Sequence, residues 1–152
     1  MTGGGGGGGG GGPGTPGADG IGTNFDTVND NAGAVVIGTP IYGKSNGKAD
    51  KAKADAAGTS RVTGLVTDVT VATAGDIVGQ SAGQLSATTG QWDAVTGQTG
   101  GLTPGSVYYL SAATAGMLTT TAPVTVTQFV VEVGVALTAT TMLLSIKSPV
   151  LL

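Results

Sequence analysis

QFVVEVGVALTATTMLLSIK, residues Gln128 to Lys147, is the longest apolar run in the chain, and its alternation decides the fold. Phe129, Val131, Val133, Val135 and Leu137 place a large apolar side chain at every odd position, whereas Gln128, Val130, Glu132, Gly134 and Ala136 form a mixed face. A period of two is the mark of a strand. Met142, Leu144 and Ile146 resume the pattern, with Thr141, Ser145 and Lys147 on the other side. A turn over Thr138 to Thr141 would set Val135 opposite Leu144 and Val133 opposite Ile146, so that both apolar rows share one face of a hairpin. Glu132 then points outward or pairs with Lys147 at an edge.

Upstream, the same grammar repeats in shorter pieces. Ser106 to Ser111 (SVYYLS) predicts a strand, Thr114-Ala115-Gly116 a hairpin turn, and Met117 to Thr121 the returning strand, which Pro123 breaks. Strands are also expected at Arg61 to Val66, Val69 to Ala72, Asp76 to Gln80 and Gln84 to Thr88, separated by Gly64, Asp68, Ala74-Gly75 and Ala82-Gly83. Short strands with glycine punctuation predict an all-β fold, a small β-sandwich or barrel of antiparallel strands. Trp92, the single tryptophan, lies in QWDAV between Gly90 and Gly97, and in so aromatic-poor a chain it reads as core filler rather than as an exposed binding platform. Downstream of the hairpin, the apolar Val150-Leu151-Leu152 is expected to dock on its own body or on a neighbour.

Toward the amino end, Val35-Val36-Ile37 and Pro40-Ile41-Tyr42 read as a bent or bulged strand, with Pro40 at an edge or bend. Lys44-Ser45-Asn46-Gly47 is a hairpin turn in which Asn-Gly supplies positive φ. Lys48 to Ala57 is open between a short helix and an exposed ribbon. Lys44, Lys48, Lys51 and Lys53 either contact an acidic partner or form a solvated flap balanced by Asp50 and Asp55. A faint internal repeat runs through these segments. Tyr42, a turn at Gly47 and Val62-Thr63-Gly64-Leu65-Val66 are echoed by Tyr109, a turn at Gly116 and Val133-Gly134-Val135-Ala136, as two copies of one β unit packed face to face would be.

Residues 1–33 read as a separate arm and loop before a body of residues 34–152. Ten successive glycines, Gly3, Gly4, Gly5, Gly6, Gly7, Gly8, Gly9, Gly10, Gly11 and Gly12, make a flexible tether or a plain linker. Three triplets in G-X-Y register follow, with Pro13 and Pro16 in the third position; in a trimer they would pack as polyproline-type strands. Ile21 to Ala34 is polar and reads as loop and turns. Its Asp26, Asp30 and Asn31 do not follow the twelve-residue calcium pattern.

The composition narrows the chemistry. There is no cysteine and no histidine, which removes thiolate chemistry and the commonest general base and metal ligand. The nine carboxylates are scattered, the glycine run lacks the strand and helix of a phosphate loop, and no membrane span or secretory leader is expected. A net charge of −3 gives no footprint for nucleic acid. The charged fraction of 10% lies well below the roughly 25% of ordinary domains, which suggests either a surface covered by neighbours or the Thr-rich faces of a thermostable β protein.

Residues Gly38 to Val66, carried by Gly38-Thr39-Pro40-Ile41-Tyr42, Lys53-Ala54-Asp55-Ala56-Ala57 and Val62-Thr63-Gly64-Leu65-Val66, resemble small capsid decoration, or cement, proteins of tailed bacteriophages. The carboxyl half, carried by LTPGSVYYLS, the turn Ala115-Gly116-Met117-Leu118-Thr119 and QFVVEVGVAL, resembles modules of phage head and tail fibres. The resemblance implies a non-enzymatic structural protein without cofactor or metal. It would be assembled in the host cytoplasm, carried on the capsid surface of the virion and bound to the major capsid protein or another virion protein. It also implies a homo-oligomer, with a trimer favoured. Gly3 to Gly12, Pro13, Pro16, the four lysines 44, 48, 51 and 53, Leu151 and Leu152 are the candidate partner contacts. The glycine arm departs from the plain decoration module and opens the alternative of a trimeric fibre or appendage protein. A third reading, a carbohydrate-binding or hydrolytic β module, would use Trp92, Tyr108 and Tyr109 as a platform and Glu132 as acid.

Overall fold

A computed structural model of the chain describes residues 23–152, and the expectations for the glycine run and the G-X-Y triplets lie outside the described residues. In chain order the elements are β1 (Asn24–Val28), β2 (Val35–Val36), β3 (Pro40–Gly43), β4 (Ala49–Lys51), β5 (Val62–Val66), β6 (Thr70–Val71), β7 (Asp76–Gln80) and β8 (Ala82–Ser86). Helix α1 (Thr89–Thr96) follows, then β9 (Val107–Leu110), β10 (Leu118–Thr119), β11 (Phe129–Val130), β12 (Glu132–Ala136), β13 (Thr141–Ser145) and β14 (Val150–Leu151). Two five-stranded antiparallel sheets carry the fold, ordered β1-β7-β5-β3-β4 and β8-β13-β12-β9-β10. Two small ladders, β2 with β6 and β11 with β14, complete the all-β sandwich.

The two sheets are the same design built twice. Replacing β1, β3, β4, β5 and β7 by β8, β9, β10, β12 and β13 turns the first strand order into the second. The register agrees residue by residue. In the first sheet Ile41 faces Gly64 and Tyr42 faces Val62, with Thr63 extra; in the second Tyr108 faces Gly134 and Tyr109 faces Glu132, with Val133 extra. A bulge therefore sits at the equivalent place, and Tyr42 and Tyr109 are equivalent, as the sequence echo has them. Gly64 and Gly134 share one constraint: a Cβ at Gly64 would lie 2.6 Å from the Gln80 carbonyl oxygen, and one at Gly134 would lie 2.5 Å from that of Leu143. Gln80 and Leu143 are themselves equivalent, since each lies opposite the residue after its glycine, Leu65 or Val135.

The bulge corrects the expected register of the Gln128–Lys147 hairpin. Leu144 lies opposite Gly134 rather than Val135, and Leu143 lies opposite Val135. The extra residue at Val133 reverses the alternation: Val131 and Val133 are buried, and beyond the bulge the inward positions are Gly134 and Ala136, leaving Leu137 exposed. The loop spans residues 137–140 because the Thr138 hydroxyl accepts from the Thr140 and Thr141 amides at 3.2 and 3.0 Å. Met142 and Leu144 are buried as the pattern predicts.

Three more expectations change. Asn24–Val28, read as loop, is the edge strand β1 paired along its length with β7, so the first sheet takes in residues ahead of the expected boundary at 34. Its Phe25 packs against the core of the first half, which a purely polar reading of the segment overlooks. Residues 48–57 are neither helix nor exposed ribbon. Ala49–Lys51 pairs with β3, and Ala52 and Ala54 are fully buried because their small side chains let the chain pass between the halves. Ala82-Gly83, expected as a separator, lies inside β8, and Thr88 leaves the strand to cap α1. Within the Lys44–Gly47 turn only Gly47 takes a left-handed φ, +82°.

Two apolar clusters hold the halves. Ile41, Ala49, Val66 and Ile77, with Phe25, form the smaller one. The larger one gathers the second sheet's Tyr108, Leu118, Ala136, Met142 and Leu85 around Trp92 and Val95, and takes in Leu65, Ala52 and Ala54 from the first half. Main-chain bonds cross the seam: the Ala54 amide donates to Ser111 O (2.9 Å), Gly116 N to Ala52 O (2.8 Å) and Phe129 N to Ala54 O (2.9 Å).

Candidate partner-binding surface

The surface is best built from its charges. Of the fifteen ionisable Asp, Glu, Lys and Arg side chains, only Asp93, Glu132 and Lys147 lie beyond the first sheet, and no charged residue occurs in residues 94–131. Each of these three is occupied. Asp93 accepts from the Gly100 and Gly101 amides at 3.0 and 2.7 Å, closing the loop after α1, and Lys147 Nζ lies 3.3 Å from Glu132 Oε2. The expected Glu132–Lys147 edge pair is therefore present, reinforced by the Lys147 amide donating to Glu132 O at 2.9 Å.

The four candidate lysines belong to the first half and are largely matched within it. Lys44 Nζ lies 2.6 Å from Asp30 and 3.8 Å from Asp50, Lys48 lies 4.0 Å from Asp30, and Lys53 lies 2.8 Å from Asp55. Lys51 instead lays its aliphatic stem against Gly116 in the second half. The bonds from Lys44 and Asn46 hold the Asp30 carboxyl below its ordinary pKa, and the same contact raises that of Lys44. The acidic partners include Asp30, which the sequence does not assign to this flap. Asp30 is thereby tied into a lysine pair, and among the described residues no group of three or more acidic side chains is placed to hold a metal ion.

The aromatic platform of the third reading is overturned. Trp92 and Tyr108 are both fully buried. Trp92 hangs from α1, which has a Thr88–Gln91 capping box and a left-handed Gly97 at its end, and its indole N–H donates to Thr140 O at 2.9 Å. The Tyr108 hydroxyl donates to Gln98 Oε1 and accepts from the Thr103 amide. Both rings are structural posts for the second core, and neither presents a face to a ligand.

What the second half does present is apolar. Val124 (86% exposed), Val126 (73%), Val150 (60%) and Leu151 (62%) stand in water around the β11–β14 ladder. The tail docks by its backbone: Phe129 faces Leu151 and Val130 faces Val150, with Leu152 N donating to Gln128 O at 3.0 Å. The expected docking of Val150-Leu151-Leu152 on its own body is thus made by main chain, while the side chains stay outside. A groove of about 290 Å³ lies just ahead of β11, where Ala112, Ala113, Pro123 and Val124 meet Thr119 and Gln128. A second, about 250 Å³, lies between Phe129, Pro149 and Arg61. Leu151 and Leu152 are legible in the sequence as candidate partner contacts. Val124 and Val126 are missed by that reading, although the long charge-free stretch around them is the signal.

No protein-family model matches the chain, and no curated protein matches it.

Proposed function

We propose that this chain is a structural virion protein, a decoration or cement protein that binds the shell of a tailed bacteriophage and stabilises it. The observation that carries this reading is the exposed valine and leucine ladder of the second half, which has no charged residue between positions 94 and 131. A face without charge loses little on desolvation when a protein surface covers it, and an exposed apolar patch of this kind marks a protein contact. The residues that resemble decoration proteins and fibre modules span both sheets, and many weak copies on a symmetric lattice would be retained by multivalency. The major capsid protein is the partner, and residues 3–16 extend the contact.

Co-sedimentation of the purified chain with shells assembled from the capsid protein of the same genome tests this. The full chain should pellet with shells, and deletion of residues 2–22 should weaken pelleting while leaving the circular dichroism of the body unchanged. If the full chain stays in the supernatant, the proposal fails. Loss of oligomer stability in isolation on the same deletion would instead favour the fibre alternative.

A further inference from the structure

We propose that Asn46 is a modification site, a latent deamidation centre that the folded hairpin holds unreacted and that converts to aspartate or isoaspartate once the hairpin opens. Nothing in this depends on what the chain binds.

The chemistry belongs to the Asn46-Gly47 pair itself. The Gly47 backbone nitrogen attacks Asn46 Cγ, and the new N–Cγ bond closes a cyclic imide. The Cγ–Nδ2 bond breaks, and the leaving nitrogen takes up the Gly47 amide proton and departs as ammonia. Water then opens the ring at either carbonyl, giving aspartate in the main chain or isoaspartate with the chain rerouted through Cγ. No oxidant or further reactant is needed. Asparagine is thermolabile for this reason, and a following glycine speeds the attack because no Cβ crowds the nitrogen. The other asparagines, Asn24, Asn29 and Asn31, are followed by Phe25, Asp30 and Ala32.

Three groups take part in the first step, and the hairpin engages each of them. The loop Ser45-Asn46-Gly47 is closed by the Lys44 amide on Lys48 O at 2.8 Å, with Gly47 left-handed at φ +82°. The nucleophile is committed elsewhere, since Gly47 N donates to Lys44 O at 3.0 Å. The leaving group is tethered: Asn46 Nδ2 donates to Asp30 Oδ2 at 3.2 Å, and Lys44 Nζ fixes that same oxygen at 2.6 Å. Asn46 Oδ1 accepts from the Lys48 amide at 3.0 Å. That last bond by itself would favour attack, because an amide donor stabilises the negative charge developing on Oδ1. Positioning outweighs it, because attack requires aligned atoms in near contact while the first two bonds commit nitrogen and carboxamide to other partners. Asn46 and Gly47 are exposed, so water reaches the site and only release of the turn is wanting. Exposed turns open locally at a fraction of the global unfolding free energy. Conversion is then one-way. It removes the Nδ2 donor and sets a third carboxylate beside Asp30 and Asp50, which already share Lys44 at 2.6 and 3.8 Å, so like charges oppose reclosure.

The full chain is aged under native conditions and, in parallel, unfolded in guanidinium, with conversion at Asn46 followed by ion exchange and by peptide mapping that separates aspartate from isoaspartate. The unfolded chain should convert first at Asn46, and the native chain should convert there at least about tenfold more slowly. Asp30→Ala, with circular dichroism unchanged, should speed the native reaction severalfold, and Asp30→Asn, which keeps an acceptor, should fall between. Asp55→Ala breaks the Lys53 pair on the same flap without touching Asn46, and should leave the wild-type rate. Equal rates in the native and unfolded chains overturn the inference, as does a native rate that both Asp30 substitutions leave unchanged. Equal acceleration by Asp55→Ala and Asp30→Ala overturns it too, since the flap's charge and not the tether would then set the rate.

Discussion

The first and second sheets share strand order, bulge and turn, yet their equivalent positions carry different chemistry. Through the common register Asp26 corresponds to Ser86, Asp50 to Thr119 and Val62 to Glu132, while the left-handed glycines of the β3–β4 and β9–β10 turns, Gly47 and Gly116, coincide. Counting along β4 and β10 from those glycines, Lys48 stands where Met117 does and Lys51 where Thr120 does. One scaffold thus carries eleven charged side chains in the first copy and three in the second among the described residues. The backbone demands are fixed by the scaffold, and the surface is free to diverge.

The halves also differ in what fills them. The first closes with the β2–β6 ladder over Val35 and Val71, and the second inserts α1 and its tryptophan between β8 and β9. Trp92→Ala should therefore be the most damaging single change, costing about 3–5 kcal/mol in urea unfolding as the largest buried side chain is lost and Thr140 O keeps only the Ala87 amide of its two donors. Hydrogen exchange should rise in β9, β12 and β13 before it rises in β5 and β7. Uniform loosening would mean that the halves fold as one unit with no private core.

A sharper test uses the shared glycines. Gly64→Ala and Gly134→Ala each drive a methyl against an equivalent carbonyl oxygen, and each should cost about 1–3 kcal/mol as the strands move apart. Thermal melts of the two variants should shift in the same direction. A neutral result at one site and a loss at the other would break the equivalence of the sheets at its most specific point.

Much of this is legible in the chain. The strand periodicity, the Asn46-Gly47 turn, the Glu132–Lys147 pair, the burial of Trp92 and the echo of Tyr42-to-Gly64 in Tyr109-to-Gly134 all rest on local chemistry. What is not legible depends on partners distant in sequence. A bulge at Val133 leaves no mark in a run that alternates on both sides of it, so the hairpin register read from periodicity is one residue off. Phe25 is a lone aromatic in a polar stretch, and only β7 makes it a strand residue. The helix has a readable signature, Thr88 followed by Gln91 and closed by Gly97, that a β-weighted reading passes over. For the partner surface, exposed Leu151 and Leu152 can be named from the sequence. The pairing of Lys44 with Asp30 is hidden because Asp30 belongs to a segment that reads as loop, separate from the lysine flap.

The smallest effect tests the charge-rich half by pH. Lys44 and Asn46 donate to the Asp30 carboxylate at 2.6 and 3.2 Å, with Lys48 nearby and Asp50, on β4, held by Asn31. Because the folded state lowers the Asp30 pKa, its contribution is complete above the ordinary carboxylate range and is lost as pH falls through the depressed folded value. Lys44 has the opposite sign: its raised pKa gives a contribution complete below the ordinary lysine value and lost as pH rises through the folded one. The pair should therefore stabilise across the whole interval between those limits and fade at both ends. Both side chains are about a quarter to a third exposed, so water and salt screen the contact and the gain is small. In urea titrations Asp30→Asn should lower the midpoint slightly from mildly acidic to mildly basic pH and converge with wild type in strong acid. A wild-type advantage that persists undiminished in strong acid would show that the difference comes from the turn's packing and not from its charges.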